Sequence, residues 1–132
     1  MRPWFADSVF YFALLSERDE YHDRAVDLND QARRMVTTQW VLMEVADGLA
    51  GVGQRAHCVN LFDALSRAKA LAIIPASDSM FRLGLDLYRQ RPDKEWSLTD
   101  CISFVAMRER NLREALTGDH HFEQAGFVAM LK

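Results

Sequence analysis

The stretch WFADSVFYFALL, residues 4–15, sets the reading of the whole chain. Its first three residues, Trp4-Phe5-Ala6, are uniformly apolar and stop abruptly at Asp7-Ser8, the pattern of a short strand buried on both faces that ends at a polar pair. Val9 to Leu15 is again apolar with no turn residue before Ser16, which favours a short helix over a continued strand. Strand, polar stop and helix form the opening of an α/β unit, and the same punctuation recurs downstream. Glu20 to Arg34 carries Tyr21, Ala25, Leu28 and Ala32 on one helical face. Met35–Thr38 is β-prone, and Gln39 to Leu49 turns Trp40, Val41, Val45 and Leu49 to one side before Gly48, Gly51 and Gly53 loosen its end. Arg55 to Lys69 predicts a further helix, Leu71–Ile74 a third strand closed by Pro75, and Ser77-Asp78 the start of a helix that stops before Pro92. Ser97 to Arg110 predicts another helix, Ala115–Thr117 a fourth strand, Asp119 to Ala125 a short segment, and Phe127 to Leu131 a fifth strand. No two strands are joined by a two-residue turn, so the expected pairing is parallel, through right-handed crossovers. The expectation is a three-layer α/β/α fold with a central parallel sheet of about five strands.

With 132 residues there is room for one core, so a single domain over residues 1–132 is expected. Hydrophobic residues at 49% and charged residues at 27% exclude a disordered chain. The net charge of −3, from 16 basic against 19 acidic residues, argues at first against a nucleic-acid partner, because phosphate contacts need a positive surface. The basic set is 13 Arg and only 3 Lys, and arginine is the residue that forks onto phosphate. Cys58 and Cys101 form no C-x-x-C pair and have no histidine at zinc spacing, so they read as small core residues. Val9 to Leu15 is too short to span a bilayer, and Asp7-Ser8 interrupts any signal-peptide core, so a cytoplasmic chain with no membrane partner is expected.

Sheets of this kind bind ligands beyond the carboxyl ends of their strands, where the strand order reverses. Asp7 follows the first strand, Asp119 the fourth, Asp100 opens a helix in Ser97-Leu98-Thr99-Asp100, and Glu44 sits in a helix between apolar neighbours. Each also has a plainer reading. Asp7 can terminate a strand, Asp119 can occupy a Gly-Asp turn, Asp100 fits a capping box with Ser97, and Glu44 can reach solvent. Taken together, four acids at one sheet edge would repel one another unless cations neutralised them, and hard oxygen donors suit Mg²⁺ or Mn²⁺. A carboxylate cluster without cysteine, histidine or a nucleophile points to metal-assisted attack of water on a phosphodiester.

The pieces around these acids, ADSVFYFALL, TTQWVLMEVADGL, SLTDCISFVAMRE and ALTGDHHFEQAGF, resemble the PIN domain, and in particular the small VapC-type ribonuclease toxins of prokaryotic toxin–antitoxin pairs. The resemblance covers essentially the whole chain in family order, with S-L-T-D before a helix and T-x-D-x-x-F near the C-terminus its more specific parts. It implies a Mg²⁺- or Mn²⁺-dependent endoribonuclease that leaves 3′-hydroxyl and 5′-phosphate ends. The metal ligands it implies are Asp7, Glu44, Asp100 and Asp119, with the hydroxyls of Ser8, Ser97 and Thr117 orienting them. It also implies an RNA substrate, an antitoxin whose C-terminal segment blocks the acidic groove, and a homodimer. Gly118 departs mildly from the pattern, since bulkier residues also occur there. Two other readings stay open: a PIN-fold module that binds RNA or protein without turnover, and a solitary PIN nuclease with no antitoxin.

Other candidates are weaker. Asp47, one turn after Glu44, reads as a surface acid before Gly48 rather than an accessory ligand. His120 and His121 follow Asp119, but no matching histidine elsewhere supports a histidine metal site, and His121 reads as a groove-rim contact. His22 and His57 carry no motif. No serine has a nucleophile-elbow context. The order of Gly48, Gly51 and Gly53 after a helix is not that of a dinucleotide loop. Haloacid-dehalogenase-type phosphatases need a second acid where Val9 stands, and receiver domains need a late lysine that Lys69, Lys94 and Lys132 do not supply. Arg89 with Arg91, and Arg108 with Arg110 and Arg113, are the arginine groups from which phosphate contacts could come. If the four acids are metal ligands, the remaining chain holds 16 basic against 15 acidic residues, and the objection from net charge falls.

Overall fold

The computed structural model describes residues 1–132. In chain order the elements are β1 (Trp4–Ala6), α1 (Ser8–Leu15), α2 (His22–Asn29), β2 (Met35–Thr38), α3 (Gln39–Gly48), α4 (Arg55–Arg67), β3 (Leu71–Ile74), α5 (Asp78–Gln90), α6 (Leu98–Glu109), β4 (Glu114–Leu116), α7 (His120–Gln124) and β5 (Val128–Ala129). The five strands form one sheet in the order β3-β2-β1-β4-β5, and every pair is parallel. The expected three-layer α/β/α arrangement with about five parallel strands is what the chain adopts. No helix is long and apolar enough to cross a membrane.

The central place of β1 follows from its composition. All three of its residues are buried, as a parallel strand covered on both faces requires, whereas the edge strand β3 is only half-buried. β1 pairs with β2 on one side and β4 on the other, so the strand order reverses across the β1–β4 pair. Its register, Phe5 opposite Ala115 and Ala6 opposite Leu116, brings Asp7 beside Thr117 one residue further on. The crevice that such sheets offer to ligands therefore opens directly above these two residues.

The helix expected over Glu20 to Arg34 is shorter, running from His22 to Asn29. Ala32 turns left-handed at φ 52°, and Arg33 reaches back to the Arg2 carbonyl at 3.0 and 2.7 Å while lying 4.8 Å over the Trp4 ring. These ties to the N-terminus turn the chain toward β2, and apolar periodicity does not register them. The fifth strand is likewise only Val128–Ala129 rather than Phe127 to Leu131, and the fourth begins at Glu114 and ends before Thr117.

The core is one cluster of 23 buried apolar residues. On the face that carries α6 and α7 it centres on Phe104. Trp96 packs edge-on at 5.0 Å, Phe122 edge-on at 4.9 Å, and Phe127 tilted at 5.7 Å. These contacts anchor the short α7 to α6, and with it the loop that carries Asp119. Cys58 and Cys101 are buried and unpaired, as core cysteines.

The α5–α6 contact is close because Gly84 has no side chain. A Cβ there would stand 2.3 Å from Ile102 Cγ1 and 3.2 Å from the Ile102 Cα. Helix propensity alone favours alanine over glycine by about 1 kcal/mol, but overpacking a tight core costs about 1–3 kcal/mol. Gly84→Ala should therefore lower stability by about 1–2 kcal/mol, read as a reduced midpoint in urea unfolding.

Candidate active site

The crevice is built from the ends of elements. Asp7 occupies the N-cap position of α1 in extended backbone, φ −91° and ψ 166°, yet its side chain makes no capping bond. It accepts instead from the Thr117 hydroxyl at 2.8 Å, and it is only 4% exposed. The same Thr117 oxygen accepts the Asp119 backbone N–H at 3.1 Å, so one hydroxyl sets the positions of two acids. Below them, buried Thr37 donates to the Ala6 carbonyl at 2.8 Å, and Thr38 caps α3 by accepting from the Val41 N–H at 3.1 Å. That cap fixes the helix from which half-buried Glu44 accepts a hydrogen bond from Ser8. Asp47 is exposed, in keeping with a surface acid.

Asp100 serves in a complete capping box. Its N–H donates to the Ser97 hydroxyl at 2.9 Å, and its Oδ2 accepts the Ser97 N–H at 3.1 Å. The same Oδ2 lies 3.0 Å from His121 Nδ1, and that nitrogen is 3.5 Å from Asp119 Oδ1. Asp119 in turn caps α7 by accepting the His121 N–H at 2.9 Å. The plainer readings of Asp100 and Asp119 as capping residues are thus real in the geometry, and the same carboxylates face the crevice. His121 is more than a rim residue, because it joins two acids that come from different elements.

Electrostatics links all four acids. Burial pushes the Asp7 carboxyl up to about 7, and the Glu44 and Asp100 carboxylates add to the rise against the lowering effect of Thr117 and the Ser8 N–H. Burial also raises Asp100, with Asp119 adding to it, while the Ser97 N–H and His121 oppose it. None of the four makes a salt bridge to lysine or arginine. The ligand atoms that all lie within 4.8 Å of one another belong to Asp119, His120 and His121, with His120 exposed. No three of the four predicted acids bring their oxygens that close together, so the structure links them by hydrogen bonds and charge rather than as a closed ligand set, and their hard oxygen donors are the type that suits a divalent cation.

Gly118, the mild departure in the sequence pattern, is explained by packing. A Cβ there would stand 2.3–2.6 Å from the ring and hydroxyl of Tyr21, so the α1–α2 turn lies directly against the loop between Thr117 and Asp119.

A family model described as PIN domain matches residues 5–128. Among solved structures, the chain is similar to Mycobacterium tuberculosis VapC20, a sarcin-ricin loop cleaving toxin, with a TM-score of 0.83 and 24% identity over 94% of this chain and 95% of that one. It is also similar to FitAcB from Neisseria gonorrhoeae, with a TM-score of 0.67 and 16% identity over 95% of this chain and 94% of that one. At these identities the likeness is one of fold. No curated protein matches the sequence.

The raised carboxyl of Asp7 makes a thermodynamic prediction for metal-free protein. The folded state holds the proton up to about pH 7, whereas the unfolded chain releases it near 3.8. This group's contribution to stability therefore falls as pH rises from about 4 to 7 and stays low above that. Asp7→Asn, whose amide oxygen can still accept from Thr117, removes the penalty. In EDTA the variant should be more stable than wild type by up to about 4 kcal/mol at pH 8, with the gap closing by pH 4. Urea unfolding at the two pH values checks this, and a gap independent of pH would contradict it.

Proposed function

The chain belongs to the PIN-domain family, and on that premise we propose that it is a metal-dependent endoribonuclease, the toxin of a toxin–antitoxin pair. The observation that carries the reading is the buried Asp7 carboxyl, electrostatically linked to Glu44 and Asp100 and through Asp100 to Asp119, with no lysine or arginine to balance them. Such a carboxylate is costly to bury unless a cation accompanies it.

Asp7, Glu44, Asp100 and Asp119 are the groups that would hold Mg²⁺ or Mn²⁺. The chemistry such an ion would supply there is a lowered pKa for the attacking water and neutralisation of charge on the leaving oxygen. The remaining work falls to the protein's own side chains. Thr117 orients Asp7 and, through its second contact, Asp119. Ser8 turns the Glu44 carboxylate inward from α3. Ser97 fixes Asp100 at the start of α6, and His121 ties it to the α7 loop. Hydroxyl and imidazole partners of this kind hold ligand carboxylates in productive orientation.

The fold likeness to the VapC20 toxin supports the toxin assignment. An apolar groove of about 320 Å³ between α1 and the α4–β3 segment, lined by Phe10, Leu14, Leu61 and Leu65, supports a protein partner, as an antitoxin segment or a second copy of the chain would be. The domain spans residues 1–132, and the chain works in the cytoplasm, where its RNA substrate is.

Purified protein should cut structured RNA when Mn²⁺ or Mg²⁺ is added, and EDTA should stop it. Asp7→Asn and Asp100→Asn should each lower the rate at least about a hundredfold while leaving the circular dichroism spectrum unchanged. Cleavage at the wild-type rate by either variant would overturn the assignment. RNA retained without any cutting by the wild type would favour a binding module.

A further inference from the structure

Adjoining the Ser97 cap of the Asp100 helix, with none of the four acids in its lining, lies a cleft of about 560 Å³ to which the reaction above assigns no role. Its walls are the C-terminal end of α5 and the segment leading into α6, including Tyr88, Arg89, Arg91, Lys94, Trp96 and Ser97. Ser97 belongs to both places, since it lines the cleft and caps the helix of Asp100.

The cations of this cleft are not equivalent. Arg91 is engaged, with two hydrogen bonds to Asp93 at 3.0 and 2.9 Å and its guanidinium 5.3 Å over the Trp96 ring, so it forms part of the wall. Arg89 meets Asp86 at 3.6 Å with both side chains well exposed, a pairing weak enough to exchange for another anion. Lys94 is half-buried and makes no salt bridge. Tyr88 is 49% exposed and stacks on no other ring. Against them stands one lining acid, Glu95.

Two available cations and an open aromatic ring form the combination that single-stranded nucleic acid uses, with phosphates on the charges and a base on the ring. Placement adds to the argument. Carboxylates repel an approaching phosphate chain, and cations in a cleft that reaches Ser97, three residues before Asp100, supply attraction near them. The arginines at the far end of α6, Arg108 and Arg110, lie eight and ten residues beyond Asp100, about 12 and 15 Å along the helix axis.

We propose that the α5–α6 cleft is an RNA subsite that receives the strand flanking the scissile bond, with Arg89 and Lys94 on phosphates and Tyr88 stacked on a base. Its place as a flank rests on the ribonuclease reading, but binding can be measured without cleavage. The test uses Asp7→Asn protein in Mg²⁺ and a fluorescein-labelled single-stranded oligoribonucleotide, read by fluorescence anisotropy over a range of salt. Adding Arg89→Ala and Lys94→Ala together should weaken binding at least tenfold and flatten the slope of log affinity against log salt by about 1.4, the amount expected for two phosphate contacts on a single strand. Tyr88→Ala should weaken binding at least about fivefold, with Tyr88→Phe restoring it. Arg110→Ala, an exposed charge at the other end of α6, should leave affinity unchanged.

Binding by the Arg89/Lys94 variant equal to its parent, or an equal loss from Arg110→Ala, would overturn the subsite. So would failure of the parent protein to bind the oligonucleotide. If wild type cuts RNA and the cleft variants bind normally, the nuclease reading stands and the subsite falls. If the cleft variants lose binding and wild type never cuts, the subsite stands and the nuclease reading falls.

Discussion

A carboxyl group at the end of a strand covered on both faces has little water to ionise into, and Asp7 stands in that position. Its backbone neighbour Ala6 is fully buried, and its side chain has the Thr117 hydroxyl and the Ser8 N–H to stabilise a negative charge. Burial outweighs these bonds, Glu44 and Asp100 add to its effect, and the carboxyl is pushed up to about 7. The pieces around it make sense as answers to this constraint. β4 must pair in register so that Thr117 arrives beside Asp7, α3 must be capped by Thr38 so that Glu44 faces Ser8, and α7 must dock so that Asp119 shares the Thr117 oxygen. On the proposed reading, a divalent ion held by these acids would offset their mutual repulsion, and its binding would favour release of the Asp7 proton.

The scaffold gives this arrangement its rigidity. The strand order reverses at β1 and β4, which is where parallel sheets leave a crevice, and both strands end there with polar residues. On one side the aromatic packing of Trp96, Phe104 and Phe122 locks α6 to α7. On the other, Tyr21 lies against Gly118 and closes the approach to the loop between Thr117 and Asp119. Asp7, Asp100 and Asp119 are thereby carried at helix starts, and Glu44 within α3.

Much of this was legible in the sequence because strand ends are abrupt. Trp4-Phe5-Ala6 stopping at Asp7, and Ser97 preceding Asp100 by three positions, mark element boundaries by chemistry, and the acids lie on those boundaries. What was not legible depends on contacts between distant residues. The helix predicted over Glu20 to Arg34 ends early because Arg33 is held by the N-terminus, a tie across 31 positions that periodicity cannot register. His121 reads as a rim residue from its place after His120, and only the docking angle of α7 sets its ring against Asp100, 21 positions away. The sequence offers Arg89 only as one of several arginines for phosphate, and its grouping with Lys94 and Tyr88 around a cleft at the end of α5 is visible only in the fold.

The central claim is that the carboxylates around Asp7 form a metal site, and anomalous scattering from crystals soaked in Mn²⁺ tests it most directly. The account predicts a manganese peak within about 2–2.5 Å of carboxylate oxygens from Asp7 and at least one of Glu44, Asp100 and Asp119. A peak held only by Asp119, His120 and His121, or no peak at the end of β1, would contradict it.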